Sequence, residues 1–465
     1  MSFTHTFDPT ILREYDIRGI VGETLSTADA EAVGRGFGTL VRRAGGRRVC
    51  VGYDGRVSSP DMEAAVVKGL RAVGIAVERI GRGPTPMLYY ATFELGADGG
   101  LMVTGSHNPP THNGFKMMIG RKPFFGADIK RLGEIVAAGD VEAGSGTVAD
   151  VPVFENYIGR ILKDFAGSRA LTAVWDAGNG SGGEAVTALV KKLPGRHVVL
   201  NGVIDGTFPA HHPDPTVPKN LEQLQAAVKA ERADVGFAFD GDADRIGVID
   251  GRGRILWGDQ IMQILAEDVL GQRPGAPIIA DVKASQALFD EVTRMGGQAV
   301  MWKTGHSLIK NKMAETKAPL AGEMSGHIFF ADRYYGFDDA IYAAMRFLNI
   351  MASRADYDLV ARYDRMPHMV NTPELRFPCA DTRKFAVVDE VKARLSASGA
   401  QVSDIDGVRV KETGGWWLLR ASNTQAVLVA RAEADTPERL EKLKASLAAQ
   451  LKLSGLDLPT ESAGH

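Results

Sequence analysis

Apolar runs that end in a single aspartate recur along the first three quarters of the chain, and a helix-like stretch follows each. Val49-Cys50-Val51-Gly52-Tyr53 stops at Asp54, Ala173-Val174-Trp175 at Asp176, and Ile278-Ile279-Ala280 at Asp281. After the first run, Ser59 reads as an N-cap with Pro60 at the first helical position, and Met62, Ala65, Val66 and Leu70 repeat at helical spacing. Ile75-Ala76-Val77 then opens a further strand. Strand–helix–strand alternation predicts parallel sheets with helices on both faces, and three returns of the pattern predict three related α/β units. Beyond about residue 366 the pattern changes. A strand begins at Arg376-Phe377-Pro378, a helix covers Val387 to Leu395, hairpin strands flank Gly414-Gly415 and include Val427-Leu428-Val429, and a charged helix starts at Pro437. The expected fold is α/β: three similar mixed-sheet domains (1–150, 151–254 and 255–366) and a smaller C-terminal α+β domain (367–465), around a central cleft, with Glu461–His465 as a frayed tail.

Composition narrows the classes. A chain of 465 residues is too long for one core. A net charge of -3 gives no global field to hold nucleic acid or an anionic membrane, so an anionic substrate must be drawn in by local clusters. The two cysteines, Cys50 and Cys379, read as reduced structural thiols, which suggests the cytoplasm. No signal peptide is expected at Met1–Thr6, and no apolar run is long enough to span a bilayer.

Each α/β unit carries one polar, glycine-containing loop beside an apolar strand, and open parallel sheets bind ligands at the carboxyl ends of strands. In Thr104-Gly105-Ser106-His107-Asn108-Pro109-Pro110, glycine lets the backbone turn and proline ends the ladder. Ser106, with His107 beside it, is therefore either a nucleophile or phosphate carrier, or a polar cap. In Asp240-Gly241-Asp242-Ala243-Asp244-Arg245 three carboxylates repel one another unless a cation gathers them, and oxygen ligands suit Mg2+. A calcium EF-hand fails, because Arg245 stands where its glycine belongs and Gly251 where its glutamate belongs. Arg245 balances charge and can grip a phosphate. A phosphorylated Ser106 would complete the metal's oxygen shell.

Glu323, Ser325 and His327 stand at alternate positions, so an extended segment turns them to one side, where carboxylate and hydroxyl suit sugar hydroxyls. Thr304-Gly305-His306 is a further loop of the same kind. Arg420-Ala421-Ser422-Asn423-Thr424 combines a guanidinium with three small polar side chains in a turn, a set that matches phosphate chemistry. Gly34-Arg35-Gly36-Phe37-Gly38 has the wrong spacing for a dinucleotide fingerprint and reads as a closely packed helix; His211-His212-Pro213-Asp214-Pro215 reads as a rigid loop.

Taken together, these loops resemble the α-D-phosphohexomutase family over essentially the whole chain, and Glu323-Met324-Ser325-Gly326-His327 resembles its phosphomannomutase/phosphoglucomutase branch. Carried over by position, the resemblance makes Ser106 the phosphoserine, Asp240, Asp242 and Asp244 the Mg2+ ligands with it, Glu323 and Ser325 the sugar grip, and Arg420, Ser422, Asn423 and Thr424 the site of the untransferred phosphate. Tyr15 and Arg18 match the family's N-terminal motif at the cleft and beside the phosphoserine; Lys116 matches the lysine next to it; Lys283, His306 and His327 fall on other cleft positions. One departure is visible: Gln425-Ala426 stand where the family usually has a proline soon after Thr424. The implied activity is interconversion of hexose 1- and 6-phosphates of mannose and glucose through a hexose 1,6-bisphosphate, by a monomer or weak dimer. A phosphoglucosamine mutase, a metal-dependent serine phosphatase and a non-catalytic sugar-phosphate sensor are the alternatives.

Overall fold

The computed structural model describes residues 3–423 and 425–459, so Thr424 and the tail Glu461–His465 lie outside the described residues. The first sheet sets a pattern. Arg48–Tyr53 lies parallel to Ala76–Arg82 on one side and to Gly99–Val103 on the other, and Gly99–Val103 reverses into antiparallel His112–Ile119. The second sheet repeats it. Leu171–Asp176 is flanked by parallel Gly195–Leu200 and Val235–Phe239, and the latter reverses into Ile246–Asp250. So does the third, with Pro277–Asp281 between Gln298–Trp302 and Leu320–Gly322, which reverses into Ile328–Phe330. Parallel neighbours need a helical crossover, whereas an antiparallel partner can follow a short turn. The polar loops at 104–111, 240–245 and 323–327 are those turns, so all three stand at the same place in their sheets. Ile255–Leu256 adds an edge to the second sheet and carries it past residue 254.

The fourth sheet is antiparallel throughout, with Val427–Ala434 pairing with Gly415–Ala421, Leu375–Pro378 and Val370–Asn371, and with helices Asp381–Ala397 and Pro437–Lys452 packed into its core. One apolar core runs through the second and third units and takes in Tyr89 and Tyr90 of helix Thr85–Glu94 from the first, which fixes the three loops relative to one another. The fourth unit meets the third through the smaller patch Val282, Trp416 and Leu418. There Arg409 Nη1 donates to Val282 O at 2.8 Å, with its guanidinium 3.7 Å over the Trp416 ring.

Several local expectations change. Ser59 is the first residue of helix Ser59–Ala72, not its cap; its hydroxyl donates to Asp54 Oδ1 at 2.5 Å, and its oxygen accepts from Asn113 Nδ2 at 2.9 Å. Gly34 serves helix packing as expected, since a Cβ there would lie 2.3 Å from Val66 O. His211 Nε2 and Asp176 Oδ2 are bonded at 2.9 Å, and His211 joins none of the metal-competent clusters among the described residues. Cys50 and Cys379 are buried free thiols. Among the described residues no helix is long and apolar enough to cross a membrane.

Candidate active site

The aspartates that close the apolar runs pin the loops beside them. Asp54 Oδ2 accepts from Gly105 N and Asp281 Oδ1 from Met324 N, both at 3.1 Å. Those buried carboxylates lie at the carboxyl ends of strands, where amides of the neighbouring turn are within reach. The loops are also stitched to one another. Thr85 N donates to Asp242 O at 3.0 Å, and Ile246 N donates to Gly326 O at 3.0 Å beside an Arg245–His327 bridge.

Ser106 is buried at this junction with φ 49°, in the left-handed region. The residue that makes the sharp turn is thus the serine itself. Gly105 has another reason, because a Cβ there would lie 2.4 Å from Arg56 Nε. Ser106 N donates to Thr104 Oγ1 at 2.9 Å, and its Oγ donates to Asp240 Oδ2 at 3.0 Å, with His107 Nδ1 at 3.2 Å. Gly241 permits that approach: a Cβ on it would sit 2.2 Å from Ser106 O.

Asp240, Asp242 and Asp244 are fully buried and converge. Asp240 Oδ1 accepts from the amides of Asp244 and Arg245 at 3.0 and 3.1 Å. Asp242 Oδ2 accepts from Thr85 Oγ1 at 2.5 Å, Thr104 Oγ1 at 3.2 Å and Lys116 Nζ at 2.7 Å, and Lys116 also bonds Asp244. Burial and the two neighbouring carboxylates push the Asp240 carboxyl well above its usual range. Burial opposes ionisation of Asp242 too, but Lys116 outweighs it and holds that carboxyl low. Burial likewise opposes the charged Lys116, and the two aspartates overcome it, so the amine stays protonated. Asp242 Oδ1 and Asp244 Oδ1 have no hydrogen-bond partner. Buried carboxylate oxygens left open beside a serine oxygen fit a hard divalent cation such as Mg2+.

Arg18 lies along the Ser106 loop, donating through Nη1 to Asn108 Oδ1 at 2.9 Å and Gly105 O at 3.2 Å. Arg245 Nε donates to His327 Nε2 at 3.0 Å, while His327 Nδ1 lies 3.1 Å from Asp338 Oδ2. His306 stacks on His327 with ring centroids 5.6 Å apart. Burial, with Lys310 near His306 and Arg245 near His107, pushes both of those imidazoles down, so each is neutral at neutral pH.

The alternation expected of Glu323, Ser325 and His327 is not what places them. The segment is a turn, with Gly326 N donating to Glu323 O and Glu323 N to His327 O, so its side chains fan apart. Glu323 Oε1 accepts from Gly305 N at 2.7 Å, His327 turns toward Arg245 and Asp338, and Ser325 is half-buried. Around the far end, Tyr15 OH donates to Thr304 O at 2.9 Å and accepts from Asn423 Nδ2 at 2.8 Å. Burial raises this phenol to about 12, so it remains a donor. Asp406 Oδ2 accepts from Thr304 N and Arg420 Nε, each at 3.0 Å, and Lys283 Nζ bonds Glu374 Oε2 at 2.9 Å. Arg420 sits at the end of a strand rather than in the turn, with Ser422 buried just beyond it. Gln425 anchors the turn in place of a proline: its Oε1 accepts from Arg376 Nη1 and its carbonyl from Lys384 Nζ, both at 3.0 Å.

The structure thus gathers Ser106, Lys116, Arg18, His107, Arg245, His306, His327 and the three aspartates at one centre, and beside His306 it links Tyr15, Thr304, Gly305, Glu323, Arg420 and Asn423, with Lys283 paired to Glu374. Sequence reasoning missed Arg56, Thr85, Asp338, Glu374 and Asp406. It saw Asp54 and Asp281 only as marks of a repeat; their recurrence at strand ends was the signal that they hold loops.

Models described as phosphoglucomutase/phosphomannomutase alpha/beta/alpha domains I, II and III match residues 9–141, 155–253 and 257–369, and the model of the C-terminal domain matches 374–450. A phosphomannomutase/phosphoglucomutase of Pseudomonas aeruginosa is 43% identical over 98% of this chain and 98% of its own length. A phosphoglucomutase of Neisseria meningitidis is 42% identical over 93% of this chain and 95% of its own. The crystal structure of a phosphoglucomutase/phosphomannomutase family protein from Burkholderia thailandensis superposes with a TM-score of 0.93 at 43% identity, over 98% of this chain and all of that one. With this fold, these loops and these relatives, the chain belongs to the phosphoglucomutase/phosphomannomutase family of phosphohexomutase enzymes.

Proposed function

We propose that this chain interconverts hexose 1-phosphates and hexose 6-phosphates, of both mannose and glucose, with Ser106 as the phosphoryl carrier. The observation that carries the reading is the buried Ser106 Oγ, 3.0 Å from Asp240 and walled by the carboxylates and cations of three units. In the forward half, the bond between phosphorus and Ser106 Oγ breaks and one to the free sugar hydroxyl forms. The hydroxyl's proton leaves to a base, and a hexose 1,6-bisphosphate results. The bisphosphate turns over in the cleft, and Ser106 Oγ then takes the other phosphoryl group. Such transfer depends on positioning and on neutralising charge, the work assigned here to Lys116, Arg18 and Arg245. Asp240, Asp242 and Asp244 would hold Mg2+ with the serine phosphate, and the metal would supply Lewis-acid charge neutralisation. Lys116, His306 and His327 are the candidate acceptors of the hydroxyl's proton.

Glu323 keeps Oε1 on Gly305 N, which leaves Oε2 for a sugar hydroxyl beside Ser325. The sugar's O3 and O4 lie midway between its phosphorylated ends, so one grip serves both orientations and leaves position 2 unread. Arg420, Ser422, Asn423 and Thr424, with Lys283 and Tyr15, take the untransferred phosphate. Burial of Ser106 keeps water from the phosphoserine. The reading includes an enzyme of four units near 1–150, 151–254, 255–366 and 367–465, with the strand at 255–256 belonging to the second, acting in the cytoplasm as a monomer or weak dimer without nucleic-acid or membrane partners; the two free buried thiols support the compartment.

A coupled assay on mannose, glucose and glucosamine 1-phosphates tests it. Turnover of the first two above the third is expected. Preference for the amino sugar marks a phosphoglucosamine mutase, release of inorganic phosphate a phosphatase, and binding without turnover a sensor.

A further inference from the structure

Arg56 does not face the cleft. It lies beneath the Ser106 loop with its side chain fully enclosed, and its terminal nitrogens reach three carbonyls of that loop and a fourth on the first residue of the strand after it. Nη1 donates to Pro109 O at 2.6 Å and His112 O at 2.9 Å; Nη2 donates to Ser106 O at 2.8 Å and Asn108 O at 2.6 Å. Nε stands 3.2 Å from Asp54 Oδ2, the oxygen that accepts from Gly105 N. A guanidinium spent in this way on main-chain carbonyls cannot bind substrate. Its planar fork instead imposes a curve on the backbone, which the single nitrogen of a lysine cannot do.

The loop needs that template. Ser106 at φ 49° occupies a region unfavourable to a non-glycine residue, and such conformations persist only where the surroundings over-determine them. The other side of Arg56 is packed by the unit that carries the aspartates. A Cβ on Gly206 would lie 2.6 Å from Arg56 Cα, and the Phe208 ring lies 5.1 Å from the guanidinium carbon. One side chain therefore ties the Ser106 loop to the second unit.

We propose that Arg56 is a positioning residue for phosphoryl transfer, one that holds Ser106 Oγ at a single point beside the three aspartates in both half-reactions. This rests on Ser106 as the phosphoryl carrier. Oγ is the leaving group when serine gives up its phosphoryl group and the nucleophile when it takes one back, so displacing it harms both steps alike.

The test compares Arg56→Lys, Arg56→Met and Gly105→Ala with Arg346→Met. Gly105→Ala pushes the loop off the guanidinium while leaving every buried charge in place. Arg346 is an equally buried arginine, paired with Asp332 at 2.8 Å and outside the cleft. Thermal unfolding, kcat and KM per folded molecule, and the rate at which Ser106 is loaded from hexose 1,6-bisphosphate (by intact mass) are measured for each. The Arg56 and Gly105 variants are expected to lose about 100-fold in both kcat and loading rate, as a misplaced reacting group does, with KM little changed. Arg346→Met should lose stability without losing kcat per folded molecule. If the folded fractions of the Arg56 and Gly105 variants load and turn over at the wild-type rate, Arg56 is merely structural and the proposal is overturned. Failure of the carrier reading looks different: the wild type itself then takes up no phosphate, or Ser106→Ala still does.

Discussion

Around Ser106 the charged side chains are buried and paired within the wall of the first three units, as Lys116 is with Asp242 and Asp244. Around Arg420 the polar contacts tie the fourth unit to the first and third: Asn423 to Tyr15, Asp406 to Thr304, and Glu374 to Lys283. The first arrangement shares a continuous core and has interlocked loop backbones; the second is tied to its neighbour by a small apolar patch and a few hydrogen bonds. The difference matches the two tasks proposed for these regions. Phosphoryl transfer needs atoms held to a fraction of an ångström, whereas gripping a phosphate that is exchanged each cycle needs contacts that can be remade.

Substitutions at the two ends should therefore fail in different ways. Ser106→Ala removes the proposed carrier, and a fall in kcat on the order of a thousandfold or more is expected in steady-state assays; a smaller loss would place the chemistry elsewhere. Asp242→Asn weakens the cluster and loosens Lys116. It should raise the Mg2+ concentration needed for half-maximal rate by about 100-fold, read by titrating activity with Mg2+. At the other end, Arg420→Ala should raise KM about tenfold while lowering kcat less, since a charged hydrogen bond to a remote phosphate is lost. A fall in kcat with KM unchanged would make the two ends alike.

The mildest change is Glu374→Gln, which cuts the pair with Lys283. Burial works against the Glu374 carboxylate, but Lys283 and Arg376 outweigh it and hold the carboxyl below its ordinary value of 4.5. A carboxyl lowered on folding stabilises the folded state fully above its ordinary value and loses that contribution as pH falls through the lowered one. The wild type should thus exceed Glu374→Gln by about 1.5 kcal/mol in denaturant unfolding at neutral pH, with the gap shrinking in acid. A gap that does not depend on pH would show that the pair is not what stabilises this contact.

The comparison also marks how far the sequence could be read. Ser106, the aspartates and Arg420 stood out because each lies in a short polar loop after an apolar strand, a signal confined to a few neighbouring residues. Asp54 and Asp281 were visible as strand ends, though their hold on the loops was not. Arg56 reaches carbonyls more than fifty positions away, and Asp338 meets His327 only once the third unit has folded; neither carries a local mark. Glu323, Ser325 and His327 went astray because strand periodicity was applied to a turn in which Gly326 has φ 91°. Ser59 did so because its oxygen is held by the Asn113 amide and it stands inside the helix rather than before it.

The central claim is that Ser106 carries the phosphoryl group between the two positions of the sugar. Intact-mass analysis after incubation with hexose 1,6-bisphosphate tests it most directly. A single phosphate adduct is expected on the wild type, located on Ser106, discharged by added hexose 1-phosphate and absent from Ser106→Ala. A fully active enzyme that never carries the adduct, or an adduct that survives in Ser106→Ala, would contradict it.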